Sequence, residues 1–130
     1  MQRTVLAVEG SWGRVEFSAE DDGKSELYET FLALPHADQV PLHVSMKKLA
    51  DAGRISNKQK FKKVENSDVF EFKEYQQRFV GFFRPGRRFI IAAHEQKKKD
   101  RLSPATIKRA ESVLERMKKE EKVHALQRTR

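Results

Sequence analysis

A tight turn between two apolar runs constrains the fold of this chain more than any other feature. Residues 79–83 are apolar on both alternating sets of positions, as expected of a central strand that is covered on both faces of its sheet. The Arg-Pro-Gly-Arg sequence at 84–87 places Pro and Gly where a turn needs a fixed and a permissive φ. The run 88–94 is again apolar between its end residues Arg88 and His94, so we expect it to return antiparallel to the first run.

Alternating patterns predict further strands. Phe70 and Phe72 alternate with charged residues, which predicts a half-buried strand and completes a three-stranded meander. The β-branched stretches 4–8 and 14–17 predict two short strands near the N-terminus.

Three helices are predicted from apolar residues at helical spacing, over 24–34, over 41–52 and from Ser103 onwards. Pro35 ends the first helix, and Pro41 suits the first turn of the second. The basic, weakly patterned segment 54–63 is predicted to be a long loop. The apolar face of the last helix thins beyond Lys119, so we expect the tail from about residue 120 to fray.

Together these elements predict one α+β domain across residues 1–130, because 38% hydrophobic residues are enough for one modest core. We expect a small, mainly antiparallel sheet with the two N-terminal helices on one face and a C-terminal helix that closes the fold. The other face of the sheet is expected to be freer.

Charge is unevenly distributed along the chain. The 27 Lys and Arg residues against 19 Asp and Glu give a net charge of +8. Three basic and seven acidic residues in 1–34 give −4, whereas seven basic and one acidic in 47–63 give +6, and seven basic and two acidic in 84–101 give +5. Such a field attracts a polyanion, and nucleic acid is the commonest one inside cells. The alternative is a solvated basic surface that serves solubility.

Several classes of site are excluded or unsupported. The chain has no cysteine, which excludes disulfides, thiolate metal sites and a thiol nucleophile. No stretch approaches the roughly 18 consecutive apolar residues of a membrane span, and no signal-peptide pattern is present, so we expect a cytoplasmic protein. No metal-ligand or phosphate-loop spacing occurs, so neither a metal nor a cofactor is predicted.

Basic residues with possible chemistry flank the hairpin. Arg78 and His94 lie at equal distances from Gly86, so a tight hairpin brings them to the same end of two paired strands. Lys97–Lys99 follow, and Glu95 is the only carboxylate in this motif. Such a set suits phosphate chemistry without metal, because Arg can stabilise developing charge while His or Lys moves a proton.

Structural explanations compete with this hypothesis. A strand-end Arg or His is more often a rim residue than a catalyst, and a Lys run is more often a solvated loop. His36, His43 and His124 have no regular spacing and are expected at structural or surface positions. The phenylalanines of 79–83 are expected to form core rather than to stack on bases.

The sequence Arg-Phe-Val-Gly-Phe-Phe-Arg-Pro-Gly-Arg-Arg-Phe-Ile-Ile-Ala-Ala-His at 78–94, followed by three Lys and by a helix that opens at Pro104, resembles the phage-derived, HigB-like branch of the RelE toxin superfamily. The resemblance implies a RelE-like fold, with two helices on one side of a sheet and a cleft on the other. It also implies a type II toxin that cuts ribosome-bound mRNA and is held inactive by a cognate antitoxin. By position, Arg78 matches the strand arginine of that family, Lys97–Lys99 its basic run, and Lys62 and Lys63 its basic loop.

The leading hypothesis is therefore a metal-independent endoribonuclease. Its predicted catalytic residues are Arg78, His94 and Lys98. Its predicted RNA contacts are Lys60, Lys62, Lys63, Arg84, Lys97 and Lys99. The alternatives are a noncatalytic RNA- or ribosome-binding module on the same fold, and a protein that only interacts with other proteins.

Overall fold

The computed structural model describes residues 2–97 and 101–128. The strands are β1 (Arg3–Glu9), β2 (Arg14–Ala19), β3 (Phe61–Lys63), β4 (Phe70–Glu74), β5 (Gln77–Arg84) and β6 (Arg88–Gln96). The helices are α1 (Glu26–Leu32), α2 (His36–Ala52) and α3 (Pro104–Arg128).

All the strands form one sheet in the order β1-β2-β6-β5-β4-β3. The predicted meander is confirmed as β4, β5 and β6, and the two N-terminal strands form a hairpin. Strand β2 pairs with β6 in parallel, which joins that hairpin to the meander and makes the sheet mixed.

Helices α1 and α2 cover one face of the sheet, as predicted. The Ser25 hydroxyl caps α1 by accepting a hydrogen bond from the backbone N–H of Tyr28, and Gly53 ends α2 in the left-handed region with φ 75°. The buried side chains on this face are mostly aromatic and include Phe17, Phe31, Phe61, Phe72, Phe79 and Phe89. Edge-to-face ring pairs recur among them, which fixes the relative positions of helices and strands.

The expectation that the other sheet face is freer is wrong. Helix α3 packs on it through Ala110, Leu114 and Met117, which contact Val80 and Ile90 in one buried cluster. The cause is visible in the sequence, because β5 is apolar on both parities and would otherwise expose one apolar face to water. The two N-terminal helices and α3 therefore lie on opposite faces.

Two predicted boundaries also differ. Helix α2 begins five residues before Pro41, which lies inside the helix and removes one intrahelical hydrogen bond. Burial of Leu42, Met46 and Leu49 on one side of α2 offsets that loss. The end of the predicted loop 54–63 forms β3, because Phe61 is buried against β4.

Candidate functional site

A bulge in β6 determines which side chains meet at the end of the central hairpin. Val80 pairs with Ala93 but Gly81 pairs with Ile91, so the register shifts by one residue at Ala92. A Cβ on Gly81 would lie 2.2 Å from the carbonyl oxygen of Ile90, so only glycine permits this close approach.

The shift changes the predicted site. Arg78 pairs with Glu95, and His94 pairs with Phe79. Because neighbouring residues of a strand point to opposite faces, the side chains of Arg78 and His94 lie at the same end of the hairpin but on opposite faces of the sheet. The prediction that they form one cluster is wrong. It assumed equal numbers of paired residues on both strands from the turn, and the bulge adds one residue to β6.

A cleft of about 470 Å³ opens where β2 and β6 separate. The parallel pairing ends at Phe17 and Ile91, and beyond it α1 and α3 form the walls from the two sides of the sheet. Crevices at the ends of parallel strands are common ligand sites, because the diverging backbones leave space that side chains can line. His94 lies in this cleft, together with Arg109, Arg116, Glu20, Glu26 and Thr30.

His94 is held in one tautomer. Its Nε2 lies 2.7 Å from Oε1 of Gln77, whose Nε2 in turn donates to Oδ2 of Asp38 at 3.3 Å. This chain makes the Gln77 oxygen an acceptor, so Nε2 of His94 carries the proton and Nδ1 is left as the acceptor. Nδ1 has no hydrogen-bond partner among the residues that the structure describes.

Burial lowers the pKa of His94 below its ordinary value, and the negative charge of Glu95 only partly offsets this. The imidazole is therefore neutral at pH 7. A neutral imidazole with an open Nδ1 beside a cleft can accept a proton from a bound hydroxyl.

Helix α3 supplies the guanidinium groups that share the cleft with His94. Arg109 and Arg116 are seven residues apart, which places them on the same side of the helix. Both are exposed, and Nη1 of Arg116 donates to Oε1 of Gln2 at 2.7 Å. They were not predicted as site residues, although their spacing along the edge of the apolar stripe of α3 was a signal that could have found them.

Arg78 does not reach an open cleft. Its side chain faces α3 with only 3% of the residue exposed, and its Nη1 donates to the carbonyl oxygens of Tyr75 (2.6 Å) and Gln77 (3.0 Å). Its Nε has no hydrogen-bond partner among the described residues, nor has Oε2 of the buried Glu71, whose charge attracts Arg78. These contacts fix the backbone of Gln77. The side chain of Gln77 holds His94 on the face of the sheet opposite to Arg78.

The profile of the phage-derived Gp49-like protein family (DUF891) matches residues 29–128. The chain belongs to this family. Its first two strands lie outside the matched region, whereas the cleft walls formed by β6 and α3 lie inside it. No curated protein and no solved structure matches the chain significantly.

In this Gp49-like protein, most of the predicted RNA contacts are paired with carboxylates. The distances from Nζ to the nearest carboxylate oxygen are 2.6 Å for Lys60–Glu74, 3.5 Å for Lys62–Glu71 and 3.3 Å for Lys97–Glu95, and Arg84 pairs with Glu121. Lys63 is exposed and has no ion pair with another described residue. Lys98 and Lys99 lie outside the described residues.

Within residues 2–97 and 101–128, no group of three or more acidic or histidine side chains is arranged to hold a metal ion. No helix in that same part of the Gp49-like protein has the length and apolar character needed to cross a membrane.

Proposed function

We propose that this Gp49-like protein is the toxin of a type II toxin–antitoxin system and acts as a metal-independent endoribonuclease. Its family is one of type II toxins, which supports the toxin role. The observation that carries the chemistry is the cleft itself, where a neutral His94 with an open Nδ1 lies with two arginines.

In the proposed reaction, Nδ1 of His94 takes the proton of an RNA 2′-hydroxyl as its oxygen attacks the adjacent phosphorus. The bond from phosphorus to the 5′-oxygen breaks, which leaves a 2′,3′-cyclic phosphate and a 5′-oxygen that takes up a proton. Lys98, one of the predicted catalytic residues, is the donor that we propose for that proton. Arg109 and Arg116 bind the phosphate oxygens, where extra negative charge develops in the transition state.

The predicted catalytic role of Arg78 changes in this proposal. Because Arg78 is buried and holds the carbonyl of Gln77, it acts as a positioning residue: Arg78 fixes Gln77, and Gln77 orients His94. The proposed partners are ribosome-bound mRNA, the ribosome and a cognate antitoxin, and this target implies action in the cytoplasm. We also propose that the fold is RelE-like and that the chain belongs to the HigB-like branch.

Purified protein incubated with labelled RNA in excess EDTA tests the chemistry. We expect wild-type protein to produce 2′,3′-cyclic phosphate ends, and we expect His94→Gln to cut about 10²- to 10⁴-fold more slowly, because proton transfer typically contributes that much. His43→Gln is the matched control, since His43 is an exposed histidine of α2. A folded His94→Gln variant with undiminished cleavage would remove His94 from the mechanism.

Induced expression in cells separates the toxin from its alternative. Growth arrest with loss of mRNA, relieved by His94→Gln, supports the endoribonuclease. The alternative is a noncatalytic RNA- or ribosome-binding module, and only the positive charge of the chain favours it. If the alternative is correct, the protein should bind RNA without cleaving it, and His94→Gln should change nothing. Native purification that keeps complexes intact is expected to recover a small antitoxin partner, which should raise the melting temperature when in excess.

A further inference from the structure

A second hollow lies at the opposite end of the sheet from His94. It is bounded by the segment that follows α2 and by β3, and its volume is about 740 Å³, within the range of ligand sites. Phe83 on its floor pairs with Phe89, which is five residues from His94 along β6. At about 3.3 Å per residue, roughly 17 Å of strand separates the hollow from the cleft.

The rim of this hollow carries cations that no carboxylate of the described residues neutralises. Arg54, Lys58 and Lys63 are exposed and have no ion pair with described residues. Lys62 also lines the hollow but pairs with Glu71. No acidic residue is among the described residues that line it, in contrast to the cleft around His94, which contains Glu20 and Glu26.

The floor of the hollow is aromatic. The rings of Phe61 and Phe70 are stacked, with centroids 5.4 Å apart and planes at 11°, and Phe83 meets Phe70 edge to face at 5.1 Å. Phe70 and Phe83 are only half-buried, so ring surface remains available. The rings of Trp12 and Phe83 meet edge to face with centroids 6.0 Å apart, and the Trp12 indole lies against Gly53, where a Cβ would be 2.6 Å from Nε1.

We propose that the hollow binds a segment of single-stranded RNA, with an unpaired base on Phe70 and Phe83 and the flanking phosphates on Arg54, Lys58 and Lys63. Stacking surface within a rim of unneutralised cations is the arrangement that recognises an unpaired nucleotide, because the base needs a flat apolar contact and the phosphates need positive charge. The choice of RNA rests on the proposed function. The hollow is a binding site separate from the cleft and takes no part in the chemistry.

Binding of a fluorescent eight-nucleotide RNA, followed by anisotropy at several salt concentrations, tests this proposal. All measurements use the His94→Gln background so that cleavage does not interfere. We expect the triple variant Arg54→Gln/Lys58→Gln/Lys63→Gln to lower the slope of log affinity against log salt by up to about 2, at roughly 0.7 for each phosphate that the protein no longer neutralises. These side chains are exposed, so the variant should fold normally.

The matched control is Lys48→Gln/Lys118→Gln/Lys122→Gln, which removes the same charge from exposed lysines of α2 and α3 outside both sites. We expect a much smaller change in slope for this control. Phe83→Leu keeps an apolar side chain but removes the ring face, and we expect it to weaken binding by about fivefold to a hundredfold. A duplex RNA of equal length should bind more weakly than the single strand and should not respond to Phe83→Leu.

Three results would overturn the proposal. One is an equal fall in slope for the hollow triple variant and its control, and another is unchanged single-strand affinity in a folded Phe83→Leu protein. The third is displacement of the RNA by a polyglutamate peptide of equal charge at equal concentration, which would identify the hollow as a site for an acidic protein segment. A wild-type protein that binds RNA at the hollow but does not cleave it would refute the proposed function and leave this site standing.

Discussion

The two faces of the sheet are packed with different kinds of side chain. The face under α1 and α2 is filled by phenylalanine rings, whereas the face under α3 is filled mainly by aliphatic residues such as Val80, Ala92 and Ala93, with the ring of Phe82 among them. Both faces bury charge, but in different states. Glu74 on the aromatic face is 5% exposed and is paired with Lys60, whereas Glu71 and Arg78 on the α3 face are 2% and 3% exposed and each has a buried polar atom without a hydrogen-bond partner among the described residues. The aromatic face therefore depends mainly on packing, and the α3 face depends more on electrostatics and on pH.

The largest expected difference between the faces comes from two neighbouring residues of β5. Phe79 meets Phe17 and Phe31 edge to face on the aromatic face, and Val80 contacts α3 on the other. We expect Phe79→Ala to lower the free energy of unfolding by about 3 to 5 kcal/mol, and Val80→Ala by roughly 2 kcal/mol, because fewer buried atoms are removed. Urea denaturation measures both, and equal losses would contradict the distinction between the faces.

Arg78→Ala tests the buried charge of the α3 face. We expect a loss of about 3 kcal/mol in the free energy of unfolding, because the carbonyls of Tyr75 and Gln77 lose their donor and Glu71 loses an attractive charge. The control Lys48→Ala, at an exposed position of α2, should change stability by less than about 0.5 kcal/mol. An Arg78→Ala protein that unfolds at the same urea concentration as wild type would show that Arg78 is not structural.

The sequence predicted the elements better than it predicted their contacts. Local patterns were enough for the meander and for the helix that opens at Pro104, because alternation and spacing are properties of the chain itself. The bulge at Ala92 could not be predicted, since two adjacent alanines fit a regular strand equally well and the close approach that Gly81 permits depends on the pairing of two strands. One shifted residue then placed Arg78 and His94 on opposite faces.

For the candidate site, the sequence singled out His94 but not the residues that share its cleft. A strand-end histidine is conspicuous in an apolar run, whereas Arg109 and Arg116 lie among many charged residues of α3 and acquire their importance only where β2 and β6 separate. The ion pairs of Lys60 and Arg84 could not be predicted either, because their partners Glu74 and Glu121 are distant in sequence.

Glu95 links the end of β6 to the start of α3. Burial raises its pKa, but hydrogen bonds from Thr106, from the backbone and hydroxyl of Ser103 and from Lys97 outweigh this and lower the pKa to about 2. Because the pKa of this carboxyl is lower in the folded state, its ionised form stabilises the fold at pH values above the unfolded-state pKa near 4.5. That contribution is lost as the pH falls from 4.5 towards 2. We expect Glu95→Gln to cost about 1 to 2 kcal/mol at pH 7.

Urea denaturation at pH 7, 4 and 3 measures this effect. The difference between Glu95→Gln and wild type should shrink as the pH falls, whereas Glu115→Gln, at an exposed position of α3, should match wild type throughout. A constant difference at all three pH values would show that the carboxylate charge has no part in holding the start of α3.

Glu71 should give the smallest effect and the opposite pH dependence. Burial raises its pKa, and attraction to Lys62, Arg78 and Lys73 only partly offsets this, so the folded state favours the protonated carboxyl. The contribution of such a group to stability is complete below the unfolded pKa near 4.5 and declines as pH rises through the higher folded value. Above that value a charged carboxylate occupies a site where Oε2 has no hydrogen-bond partner among the described residues.

We therefore expect Glu71→Gln to be at least as stable as wild type at pH 8 and to show no advantage at pH 4, measured by urea denaturation at both pH values. A Glu71→Gln protein that is less stable than wild type at pH 8 would mean that attraction to the surrounding cations exceeds the cost of burying the charge.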